Sequence, residues 1–426
     1  MDLVAEGKAY VNGSLQQCCI GIDGGKIVEI KKVLKGDEHL NFGNKLIFPA
    51  GVDMHVHFRD PGMTHKEDFS TGSLAAAFGG ISCVFDMPNT SPQTTTVLAV
   101  DDKILAASKK SYVDFGIYAG VTNNNINFVG DISKKCSGFK IYLGSTTNAL
   151  LLDKSNLRQT LQKISENKKP VLFHAEDDEL LSKNKGIEKN LADHLHFRPS
   201  ICEEISIRNI LKALQGLDLK VHICHLSSIE GLEILKNRPN NVSCGATPHH
   251  TLLSVENTQA QTFYKVNPPI RTNFDKEALF EAAKNGIVDV LESDHAPHTK
   301  DEKDCDFDKA MSGIPGVETM FPLYLYLAKK ELISFRRVIS LVCENPARIM
   351  DVAKGKLEVG RDADFVVVDI KKESKIKSDT LHSKCGWTPF EKFPAIFPTH
   401  VFVRGEKLIE DGEMQVSQGF GNFVGE

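Results

Sequence analysis

The sequence predicts an α/β protein, a (β/α)8 barrel of the TIM type with a small composite β-sandwich domain made from both chain ends. Two observations predict it. Eight short runs rich in Val, Ile and Phe alternate with stretches of helical spacing, the pattern of a parallel sheet covered by helices, and both ends of the chain lack that alternation. The runs lie at 46–58, 81–89, 114–121, 138–144, 170–176, 219–227, 241–250 and 288–298. Between them, 66–78, 155–168, 202–215 and 274–285 space Leu, Ile and Ala as amphipathic helices do. By contrast, 8–30 and 355–411 are cut by Gly and Asp into short alternating runs, which read as strands. The expected division is a barrel over 51–352 and a composite domain from 1–50 and 353–426.

Composition excludes several classes. The 426 residues can bury one barrel with an accessory domain, and 41% hydrophobic with 25% charged residues is ordinary for a globular chain. Lys and Arg number 51 against 56 Asp and Glu, so no broad cationic surface is offered to nucleic acid or anionic lipid. Any anionic ligand must be met by a few placed cations. The start brings Asp2 and Glu6 with no apolar segment behind a basic one, and no apolar run is long enough to span a bilayer, which predicts a cytoplasmic protein. Ten cysteines without a C-x-x-C pair predict reduced, mostly buried thiols rather than disulfides or a zinc finger. The Lys pairs at 109/110, 134/135, 168/169, 329/330 and 371/372 read as solvated helix ends or loops.

Barrel enzymes carry their chemistry at the C-terminal ends of the strands. His55 and His57 close the first run, and at period two both imidazoles point to the same side. The fifth run ends His174-Ala175-Glu176, the sixth His222-Ile223-Cys224-His225 and the eighth Ser293-Asp294-His295-Ala296-Pro297-His298. Imidazoles and carboxylates on four separate strand ends are the ligand set of zinc or a similar divalent ion. Lys140, inside the fourth run, reads either as a rim lysine reaching water or as a buried amine compensated by something anionic or covalent. A second H-x-H, His194-Leu195-His196, is read as part of a polar loop and set aside.

The stretches 55–62 (His-Val-His-Phe-Arg-Asp-Pro-Gly), 87–90 (Met-Pro-Asn-Thr), 138–143, 221–226, 293–299 and 313–319 resemble the amidohydrolase superfamily and, within it, the dihydroorotases of the longer, class I type. The resemblance spans nearly the whole chain. It implies two divalent metals, zinc first among them: His55 and His57 on one, His174 and His225 on the other, Lys140 bridging both as its carbamate, and Asp294 as ligand and proton shuttle. It further implies that Arg59, Asn89 and His298 hold a substrate carboxylate, that Asn267 touches the ring, and that Thr146 sits on a loop closing over the substrate. Arg59 is the discriminator, because the related allantoinases and hydantoinases lack an Arg two residues after the second His.

The implied reaction is the reversible opening of L-dihydroorotate to N-carbamoyl-L-aspartate in pyrimidine biosynthesis, with a homodimer and association with aspartate transcarbamoylase as partner expectations. Two alternatives stand beside it: another cyclic amidohydrolase (allantoinase, dihydropyrimidinase or hydantoinase) and a non-catalytic dihydroorotase-like partner of the transcarbamoylase. Asn89 and Asn267 keep a second reading as turn residues, and Thr146 as an ordinary polar loop residue. Some relatives bind a third metal through a Cys beside the sixth-strand His and a Glu on strand seven; here Cys224 is present but Gly245 stands at the Glu position, so two metals are expected.

Overall fold

The computed structural model describes residues 1–145, 150–258 and 261–425. Its N-terminal strands are β1 (Leu3–Val11), β2 (Ser14–Asp23), β3 (Lys26–Lys31) and β4 (Glu38–Pro49). One residue later the barrel begins, with β5 (Gly51–Val56), β6 (Ile81–Asp86), β7 (Asp114–Gly120), β8 (Gly138–Tyr142), β9 (Val171–His174), β10 (Val221–Ile223), β11 (Val242–Ala246) and β12 (Val290–Leu291). The C-terminal strands are β13 (Phe365–Val368), β14 (Ser374–Lys375), β15 (Pro394–Ala395), β16 (His400–Val403), β17 (Glu406–Glu410) and β18 (Glu413–Met414).

Strands β5 to β12 hydrogen-bond in sequence order, with every pair parallel. The ring closes where Val56 bridges His295 and the His57 N–H donates to the His295 carbonyl at 2.8 Å. Helices Phe69–Phe78, Leu157–Ser165, Ser200–Leu214 and Asn273–Asn285 fall within three residues of their predicted bounds. The segment around His194 is a correction: it is the short helix Leu191–Phe197, not a loop. His194 is buried there, bonded to Glu188 at 2.9 Å and to the Val266 carbonyl at 3.0 Å. Both ring nitrogens are satisfied, so this histidine is structural. Nine cysteines are buried and Cys305 is exposed, all of them free. Among the described residues no helix is long and apolar enough to cross a membrane.

The chain ends form one mixed eight-stranded sheet in the order β18-β17-β16-β13-β4-β1-β2-β3. Because side chains alternate across a strand, β4, β13 and β16 feed two cores at once. Leu46, Phe48, Val366, Val368, Val401 and Val403 join the large core that runs under the barrel helices, while Ile47, Phe365, Val367 and Phe402 pack with β1 and β2 in a separate one. Phe365 and Phe402 stack there with ring centroids 4.2 Å apart. The sheet is thereby welded to the barrel through apolar contact on one face.

Two polar devices complete the attachment. On the N-terminal side of the barrel, Lys354 is buried among Asp114 at 2.6 Å, Asp362 at 2.9 Å and Asp364 at 2.8 Å, and Arg404 pairs with Asp114 as well. Burial opposes the ammonium, but the surrounding carboxylates overcome it and hold Lys354 well above its usual pKa. On the opposite rim, residues between β14 and β15 reach over the barrel: Trp387 Nε1 donates to the His298 carbonyl at 2.8 Å, His382 meets Glu318 at 2.8 Å, and Lys384 Nζ donates to the Thr64 carbonyl at 2.8 Å. Trp387 and Phe390 belong to the barrel-side core. This stretch, assigned by sequence to the composite domain, therefore also forms part of the barrel's wall.

Removing the cation at the centre of three buried carboxylates leaves uncompensated charge. Lys354→Met is expected to destabilise the chain by about 3–5 kcal/mol in urea unfolding at neutral pH, and a loss under about 1 kcal/mol would contradict the lock.

Candidate active site

All of the predicted metal-ligand positions meet at the C-terminal mouth of the barrel. His55 Nε2 and His57 Nε2 each lie 3.2 Å from Asp294 Oδ1, and these three form one group of close ligand atoms. His174 Nδ1 lies 3.2 Å from His225 Nε2, and the His55 and His225 rings are 5.2 Å apart, so the two pairs are neighbours. Lys140 is fully buried beside them, its Nζ 3.1 Å from Cys224 Sγ and 5.3 Å from the Tyr142 ring centre. Among the described residues it pairs with no carboxylate, which decides against a rim lysine reaching water.

Two of the imidazoles, His57 and His174, are oriented by an acceptor on the far side. His57 Nδ1 donates to Asn89 Oδ1 at 2.7 Å, and His174 Nε2 donates to Glu176 Oε2 at 2.7 Å. Glu176 is in turn gripped by Arg198, which, with His174, holds the carboxylate ionised against the cost of burial. His55 Nδ1 faces Glu292 Oε2 at 3.4 Å. With those nitrogens engaged, the remaining lone pairs of His57, His174 and His55 point into the shared space. Burial drives His57 down to about 3 and His174 and His225 below their usual range, so these three imidazoles are neutral at physiological pH. Neutral imidazoles, one acid and one amine without a counter-ion are a donor set that fits divalent metals.

The backbone contributes strain at three of these positions. Arg59, His225 and Asp294 have φ of 63°, 37° and 45°, in the left-handed region that side chains other than Gly rarely occupy. The turn at each strand end swings the side chain inward over the mouth.

Glu292 is a site residue that sequence reasoning missed. Gly245, on β11, has no side chain, and a Cβ built there would lie 2.6 Å from Glu292 Oε1 and 2.8 Å from His222 Nε2. The acid absent from the seventh strand is thus supplied by the eighth, into the space that glycine vacates. Glu292 accepts from the His225 N–H through one oxygen, while the other lies 3.4 Å from both His55 Nδ1 and His222 Nε2. His55, Cys224 and Glu292 consequently form a further group of close ligand atoms.

The cavity above this centre is lined by Arg59, Asn89, Tyr142, Asn267 and Ser312 together with the four histidines of the ligand set and Asp294. Arg59 is buried, its Nε donating to the Pro297 carbonyl at 3.2 Å, and among the described residues it pairs with no carboxylate. Asn267 Oδ1 is buried without a hydrogen-bond partner. Asn89 lines the cavity while its Oδ1 holds His57. His298 stands behind Arg59 rather than in the lining, 3.2 Å from its Nη2, with Lys66 Nζ 3.2 Å from the other ring nitrogen. Thr146 lies outside the described residues. Sequence reasoning also passed over Tyr142, Arg198 and Lys66. Tyr142 was findable, because it follows Lys140 at the strand period of two.

A family model described as the amidohydrolase family matches residues 46–407. Dihydroorotases of Methanosarcina acetivorans and Thermoplasma acidophilum are 36% and 38% identical to this chain, over 98% and 100% of it and 94% and 98% of their own lengths. Among solved structures, an L-hydantoinase (dihydropyrimidinase) from Arthrobacter aurescens superposes with a TM-score of 0.95 at 27% identity, over 100% of both chains. A dihydropyrimidinase from Brevibacillus agri gives 0.91 at 24% identity over 100% of this chain and 98% of that one, a likeness of fold alone.

The outer acceptors predict a measurable effect on metal affinity. Glu176→Gln is expected to weaken metal binding by about 10- to 100-fold in a chelator competition, and unchanged affinity would remove the orienting role.

Proposed function

Because the chain belongs to the amidohydrolase family, we propose that the convergent site is that of a metal-dependent dihydroorotase, interconverting L-dihydroorotate and N-carbamoyl-L-aspartate in pyrimidine biosynthesis. The observation that carries the substrate is Arg59, a buried guanidinium lining the cavity with no carboxylate partner among the described residues. A buried cation of that kind is satisfied by an anionic ligand, and its planar fork matches a carboxylate. Dihydroorotate carries a ring carboxylate, whereas hydantoin and allantoin do not. A non-catalytic role is disfavoured because every position of the ligand set is intact and assembled.

Two metal ions, zinc first among candidates, would be held by His55, His57 and Asp294 on one side and His174 and His225 on the other, with Lys140 bridging as its carbamate. Carbamylation turns an ammonium, which the ions would repel, into an anionic oxygen donor. Bound metal supplies an activated water at neutral pH and polarises the amide carbonyl. Glu292 is read as an outer acceptor rather than a third-metal ligand, since one oxygen is taken by the His225 N–H and the other lies between two imidazoles.

The chain's own groups divide the remaining work. Arg59, with Asn89 beside it and His298 behind it, holds the substrate carboxylate. Asn267, through its unpartnered Oδ1, accepts from a ring N–H. Asp294 takes one proton of the attacking water and returns it to the leaving ring nitrogen, and the carboxylic acid formed at the carbonyl carbon then ionises, so that ring opening releases one proton at neutral pH. In the biosynthetic direction the same transfers run in reverse. Thr146 is proposed to close over the bound ring. A cytoplasmic homodimer and association with aspartate transcarbamoylase follow from the family resemblance, and light scattering of the chain alone and mixed with that partner tests both.

The deciding experiment compares turnover of L-dihydroorotate, hydantoin and allantoin on a sample of measured metal content. Dihydroorotate is expected to dominate at two metals per chain; a preference for hydantoin or allantoin sinks the substrate, and three metals sink the assignment of Glu292. Arg59→Met is expected to lose dihydroorotate turnover while metal content is unchanged. Lys140→Ala is expected to lose the metal pair together with the activity, so a variant that retains both metals argues against a bridging carbamate.

A further inference from the structure

Tyr142 ends the strand that carries Lys140, on the same face of it, and its side chain lines the cavity beside His174, with ring centres 6.0 Å apart. Its hydroxyl is buried, and it has no hydrogen-bond partner. A buried hydroxyl without a partner is destabilising, so structures keep one where a ligand completes the bond. The neighbouring polar groups do not need it: Asn89 holds His57, Glu176 holds His174, and Arg59 is pinned by the Pro297 carbonyl. An ordinary phenol keeps its proton near neutral pH, so the group is a neutral O–H donor.

The position of this donor limits what it can serve. A carboxylate held by Arg59 sits toward the strand ends of β5 and the segment after β12, where Arg59 and Pro297 lie. Tyr142 instead stands over Lys140 and beside His174, next to the ligand set where the carbonyl under attack must lie for Asp294 to receive the water's proton. We propose that Tyr142 is a further catalytic residue, donating its Oη–H to the oxygen of the ring carbonyl as that oxygen becomes negative. The water oxygen forms its bond to the carbonyl carbon, the C=O π electrons move onto the oxygen, and the phenol stabilises it without giving up its proton. When the C–N bond breaks, that electron pair returns to re-form C=O, and the ring nitrogen receives the proton from Asp294. The bond is strongest in the charged intermediate, so it acts on kcat rather than on KM.

This inference rests on the site being a cyclic amidase, but not on which ring it opens. Tyr142→Phe removes one oxygen and nothing else from the strand. It is expected to lower kcat about 100-fold in both directions, as loss of one oxyanion donor does, with KM within about 3-fold of the parent. Metal content is expected to be unchanged, and the thermal midpoint to be equal to the parent's or higher, since an unpartnered buried hydroxyl is removed. Installing 3-fluorotyrosine at 142, which restores the O–H, is expected to return kcat to within about 3-fold of the parent. A variant with kcat undiminished, a rise in KM alone, or a loss of activity that tracks a loss of metal overturns the proposal. If the parent chain opens hydantoin and not dihydroorotate, the substrate assignment fails, and the same comparison on hydantoin still decides the role of Tyr142.

Discussion

The centre depends on a constraint that ligand identity alone does not supply: every imidazole must present a bare nitrogen to one small volume. An imidazole free to flip, or to carry its hydrogen on the wrong nitrogen, would close that volume to a cation. Here the far nitrogen of His57 is committed to Asn89, that of His174 to Glu176, and that of His55 faces Glu292. The carboxylates come from a position two residues beyond His174 and from the segment joining β12 to Asp294, so the strands that deliver the ligands also deliver the groups that aim them. Burial then keeps the rings of His57, His174 and His225 neutral. Fold, tautomer and ligand geometry are one specification.

Strain is the cost of that arrangement. Arg59, His225 and Asp294 all sit in left-handed backbone, each just past a strand end. Such conformations persist where the surroundings over-determine them, and the surroundings here are substantial. The ring is stitched shut between Val56 and His295, and the welded sheet braces the barrel through alternate residues of β4, β13 and β16. The core therefore does more than stabilise the chain; it holds three residues in conformations they would leave if released.

Much of this was legible in the sequence, for a physical reason: parallel strands buried on both faces leave apolar runs, and a polar residue at the end of such a run is conspicuous. His55, His57, His174, His225 and Asp294 all announce themselves in this way. Residues whose meaning depends on a neighbour from another strand do not. Glu292 carries no signal along the chain, because its place in the site depends on Gly245 leaving room for it across the barrel. His194 looked like part of a loop because a helix as short as Leu191–Phe197 carries too little periodicity to be recognised. His298 was expected in the cavity, yet its ring stands behind Arg59, a distinction of one layer that no linear pattern records.

The indole of Trp387 donates to the carbonyl of His298, directly behind Arg59, and meets Phe263 edge-on with centroids 5.0 Å apart. It is the chain's sole tryptophan. Emission excited beyond the tyrosine absorption band thus originates from a single indole lodged where the segment between β14 and β15 leans over the mouth, one residue removed from Arg59. The molecule carries its own optical gauge of whether that corner is filled, with no label and no second indole elsewhere in the chain.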